Sequence, residues 1–66
     1  MNPENTDIKR GINIAVDILE AMLTHHIRHM QDERAYGNTV PAHNHERFAT
    51  VLSTAIKRIQ AEAGKL

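Results

Sequence analysis

The chain contains no cysteine and no tryptophan, and Tyr36 and Phe48 are its only aromatic residues. Without thiols it forms no disulfide and offers a metal no thiolate ligand. The same absence fits a reducing compartment. Two aromatics are too few for a module that stacks bases on rings, which disfavours that mode of nucleic-acid binding. An excess of one charge is missing as well. Eight basic residues balance eight acidic ones, so no overall field draws the chain to DNA, RNA or anionic lipid. No apolar run approaches the roughly 20 residues that span a bilayer. The first seven residues are polar, and their only charges are acidic, unlike a secretory signal. The expectation is a soluble cytoplasmic protein with no membrane partner.

What is present is a helical pattern written twice. Apolar residues make up 41% of the 66, enough for a folded domain rather than a disordered tail. The first helix is expected from about residue 3 to 36. Asn2 is placed to cap it, Pro3 is preorganised for the first turn, and Glu4 suits the positive end of the helix dipole. Ile8, Ile12, Ala15, Val16, Leu19, Met22, Leu23, Ile27 and Met30 recur every three or four residues, the spacing of one helical face. Gly11 inside that pattern costs about 1 kcal/mol relative to Ala; it marks a close helix crossing or a kink, or is simply a tolerated glycine near a frayed end.

Gly37 ends this helix through a positive φ, and Pro41 keeps it from running on. The second helix is expected from about residue 41 to 63, starting at Pro41 or capped by Asn44. Its stripe is Phe48, Val51, Leu52, Ala55, Ile59 and Ala63, with Ile56 at the edge and Gly64 as the stop. A short connection sets the two antiparallel. The fold class is therefore all-α, a single helical-hairpin domain over residues 1–66.

A domain this small buries only about 60% of its unfolded-chain surface. With disulfides excluded, a partner subunit is the expected staple. Helix 1 supplies the surface for one. Ile14, Ile18 and Ala21 lie roughly opposite the main stripe, and His25 continues the line with His29 at its edge. A helix apolar on two sides is usually sandwiched between neighbours, the alternative being that Ile14 and Ile18 are ordinary surface aliphatics. Helix 1 is also the longer, so Ile8 and Ile12 should overhang the end of helix 2. These features predict a homo-oligomer, a dimeric four-helix bundle or a higher assembly of hairpins, with Ile14, Ile18, Ala21, His25 and His29 at the interface or docked on a protein partner. In outline the architecture resembles small plasmid and phage hairpins that dimerise, a likeness of shape that implies no function.

Five histidines invite a metal reading, and His25 and His29 stand at the i, i+4 spacing of a ligand pair. His26 occupies the slot where a zinc-protease helix carries Glu, so that hydrolase motif is absent. His29 is expected near Thr50, with His43 and His45 closer to the turn. A gap of about 8 Å then separates them, too long for one ion with bonds of roughly 2 Å. Histidines beside an interface would also make assembly respond to pH between about 5 and 7.

Arg47, Arg58 and Lys65 share an azimuth on helix 2, a row suited to phosphates of RNA or a nucleotide, or else to a solvated face with paired charges. No Gly-rich phosphate loop, nucleophile arrangement or carboxylate pair is visible, and no cofactor is implied. The functional expectation is a non-catalytic, self-associating hairpin that binds, regulates or inhibits a macromolecule. The alternatives are a phosphate-binding or histidine-metal module.

Overall fold

The computed structural model describes residues 3–66, with side-chain surroundings from Thr6 onward. It is an antiparallel hairpin of two α-helices, α1 over Pro3–Ala35 and α2 over Thr39–Ala63. The expected all-α hairpin is thereby met. The Cα atoms span 52 × 15 × 10 Å, so the molecule is a rod two helices wide. The capping role expected of Asn2 lies outside the described residues. Gly11 causes no break, because α1 runs through it as one helix.

The reversal is a Schellman turn. Gly37 adopts φ +78°, its N–H donates to the Arg34 carbonyl at 3.1 Å, and the Asn38 N–H donates to the Glu33 carbonyl at 2.8 Å. These two bonds satisfy carbonyls that the end of a helix leaves without partners. Asn38 then starts α2, its own carbonyl accepting from the Ala42 N–H at 3.2 Å. Its side chain does not cap α2 but donates to Glu33 Oε2 at 2.8 Å, tying the turn back to α1. Thus α2 begins at Thr39, earlier than the expected Pro41 or Asn44. Pro41 sits inside the first turn, where its missing N–H would have no intrahelical partner anyway.

The contact between helices follows a seam with alternating spacings of four and three. Along it lie the half-buried or buried Ile12, Val16, Leu19, Leu23, His26, Met30 and Glu33 of α1 and Ala42, His45, Ala49, Leu52, Ile56, Ile59 and Ala63 of α2, while Thr6, Ile27, Ser53 and Ala55 are half-buried outside this repeat. This 3.5-residue repeat is the coiled-coil period, which keeps one narrow row of each helix against its neighbour. Among the described residues only Val16, Ala42 and Ile56 are buried. Two sticks in contact along a line cannot enclose more.

The seam corrects the expected stripes. Phe48 and Val51 are 57% and 66% exposed, whereas Ile56, expected at the edge, is core. Ile8 and Met22 of the expected α1 stripe are also about half exposed, and Ala15 is exposed. Each stripe had merged the seam with an apolar flank beside it. Nor does Ile12 overhang. It is half-buried in a groove shared with Ala55, Ile59 and Ala63, because the early start and 25 residues of α2 reduce the length mismatch. Among the described residues, no helix is long and apolar enough to cross a membrane.

Candidate functional site: a histidine cluster beside an apolar face

Seen along its axis, the rod has two unlike flanks. On one, Arg34 reaches Glu46 across the helices at 2.5 Å, and the groove beside them carries Thr50, Ser53, Thr54 and Lys57 over half-buried Ile27. On the other, the ring of Phe48 lies stacked 5.3 Å from that of His26. Around this second flank and onto the outer side of α1 run Ile8, Ile14, Ile18 and Met22, between 46% and 58% exposed. Ala15, Ala21, His25 and His29 are exposed among them. The structure therefore places Ile14, Ile18 and Ala21 where the sequence reading put them, on a free face away from α2.

Four imidazoles gather at the turn-proximal end of this face. His26 and His45 occupy seam positions, and their Nδ1 atoms are 2.9 Å apart. One ring must donate its N–H while the other accepts. The His25 and His29 centroids are 4.2 Å apart on α1, and His29 and His45 are 5.4 Å apart between helices. The expected gap between His29 and His45 is overturned. The tight turn and the early start of α2 bring His45 level with the third-from-last turn of α1. His43 stays exposed in a groove with Glu46 and Arg47, outside the cluster.

Burial in the seam is the main reason His26 titrates below the ordinary 6.5, and the neighbouring charges of His45, His25 and His29 push the same way. The hydrogen bond adds a chemical limit. One extra proton on the pair leaves a donor and an acceptor, but a second puts N–H groups nose to nose. Sequence reasoning missed the pairing of His26 with His45. The signal existed in the α2 spacing, since stepping back from Ile56 through Leu52 and Ala49 lands on His45 and Ala42.

For metal binding, His25 and His29 remain a pair of neighbouring rings. Among the described residues, no group of three or more His, Cys, Asp or Glu side chains is arranged to hold an ion. The basic residues are strung out rather than convergent. Arg47 and Arg58 are eleven residues apart along α2, about 16 Å. Lys65 is held by Glu62 at 3.2 Å. No family model, curated protein or solved structure matches this chain.

Proposed function

We propose that this chain is a non-catalytic interaction protein whose working surface is the outer face of α1, used to associate with further copies of itself in a helical bundle. The observation that carries the reading is an excess of exposed area. A compact folded monomer of 7.5 kDa exposes about 4,250 Å². This hairpin exposes 5132 Å². The difference, about 900 Å², is close to the roughly 800 Å² that each partner buries in a standard interface. Among the exposed apolar groups that could fill it, Ile14 and Ile18 stand near the middle of α1, each more than half exposed.

Sedimentation of the wild-type chain tests the proposal, with a mass of at least twice 7.5 kDa expected. Ile18→Glu should return the mass to one copy while the far-ultraviolet spectrum stays helical. A wild-type chain that sediments as a folded single copy at high micromolar concentration sinks it.

A further inference from the structure

The outer face of α1 is itself a second seam. Ile8, Gly11, Ala15, Ile18, Met22, His25 and His29 alternate by three and four residues, the same repeat as the row that meets α2. A helix with two such rows is built to lie between two other helices. Only one is supplied by this chain. The outer side of α2 is the poorer candidate: its exposed Phe48 and Val51 lead at the same repeat through Ala55 to Arg58 and Glu62, so the row turns charged within two turns.

The second seam differs from end to end. Its N-terminal part is narrow, with Gly11 and Ala15, and its turn-proximal part is bulky, with Met22, His25 and His29. A Cβ on Gly11 would meet nothing within 4 Å, so nothing inside the hairpin calls for glycine there. Glycine in a helix interior nonetheless costs about 1 kcal/mol against alanine. The charges beside the seam are also polar in the sense of direction. Asp7, Ile14, Ala21 and Arg28 recur every seventh residue along its edge, acidic at one end and basic at the other, and both charged groups are exposed.

Building on the self-association proposed above, we infer that two copies pair α1 against α1 in antiparallel sense, about a two-fold axis close to Ile18. This arrangement sets the narrow Gly11–Ala15 part of each copy against the bulky Met22–His25 part of its partner. It brings Asp7 of each copy near Arg28 of the other. It also opposes the helix dipoles and keeps the two histidine clusters at opposite ends. A parallel pairing would do the reverse, crowding bulk on bulk, leaving a gap at the glycines and facing like charge with like.

The absence of cysteine makes the test clean. Full-length chains carrying Ile18→Cys should cross-link to themselves with a short thiol-reactive linker. A mixture of Gly11→Cys and His25→Cys chains should cross-link, while neither does so alone. Asp7→Lys should weaken dimerisation roughly tenfold, and combining it with Arg28→Glu should restore it. Gly11→Leu should leave the hairpin as helical as before but weaken the dimer. Gly11→Cys chains that link to each other show a parallel pair and overturn the inference. A heavy assembly with no Ile18→Cys product also overturns it, while leaving self-association intact. A single-copy mass removes both.

Discussion

The outer sides of the two helices make an instructive contrast. Both point away from the seam, both are water-exposed, and each belongs to a helix of at least 25 residues. Yet α1 presents Ile14, Ile18, Ala21 and Met22, whereas α2 presents Arg47, Thr54 and Arg58 among exposed Val40, Phe48 and Val51. A helix needs apolar contact on only one side to stay folded in a hairpin. On α2 the exposed row of Phe48 and Val51 gives way to Arg58 and Glu62 at the same three- and four-residue repeat, whereas on α1 the apolar row runs on. The additional apolar row on α1 is largely exposed in the hairpin, and meets α2 where His29 stacks on His45. Exposed single aliphatics are ordinary on any protein, but a row of them repeating at coiled-coil spacing is not. On the self-association proposed above, the two helices would have different duties: α2 closes the hairpin, and α1 has a side left over for assembly.

The largest effect should come from breaking this contrast directly. Giving α1 a charged outer face through Ile18→Glu should abolish association, while Arg58→Glu on the outer side of α2 should leave the sedimenting mass alone. Equal loss from both would mean that the two faces do not differ in role. Next comes the contrast between seam and flank. Ile56→Ala opens a hole at a position only 6% exposed and should cost about 2–5 kcal/mol. Val51→Ala, at a residue 66% exposed, should stay within about 0.5 kcal/mol in a monomeric background such as Ile18→Glu. Urea unfolding in that background compares the two, and a similar cost would show that the seam is misplaced.

A smaller effect separates the turn-proximal half of the seam from the distal half, because only the former contains imidazoles. His26 has its folded-state value depressed below 6.5, so the fold prefers it neutral. Its contribution is whole above the unfolded value and is lost as pH falls through the folded one. The melting temperature should therefore be level between about pH 8 and 7, then decline toward pH 5. His26→Leu should flatten that decline. A wild-type melting temperature indifferent to acid would show that the His26–His45 pair does not matter to stability.

The turn offers the smallest contrast, between a backbone device and a surface ion pair. Gly37→Ala forces a side chain into positive φ and should cost about 1 kcal/mol. Arg34→Ala breaks the pair with Glu46, whose side chains are 55% and 49% exposed, and should cost less than about 1 kcal/mol. Chemical denaturation that ranked Arg34 above Gly37 would put the turn's stability in its charges rather than in its geometry.

Much of this was legible beforehand. The three- and four-residue spacings announced both helices, and Gly37 announced the turn to the residue. Ile14, Ile18 and Ala21 stood apart from the main stripe and are indeed free of α2. Phe48 and Val51 were misassigned because they adjoin the seam, and a helical wheel averages neighbouring apolar sectors into one arc. The pairing of His26 with His45 was hidden for another reason. It depends on where α2 starts, and Pro41 suggested a later start than the one Asn38 and the Schellman bonds impose. The phosphate row of Arg47, Arg58 and Lys65 was readable as a row, but a shared azimuth does not bring residues about 16 Å apart into one site.

The order of residues alone determined two helices, one reversal and a surplus of aliphatic groups, because helix period and glycine's left-handed backbone are local properties. Only the folded hairpin decided which row of each helix is the seam, which histidines meet across it, and which apolar face remains open. Those are questions of register, and register is set by the turn and by contacts between residues distant in the chain.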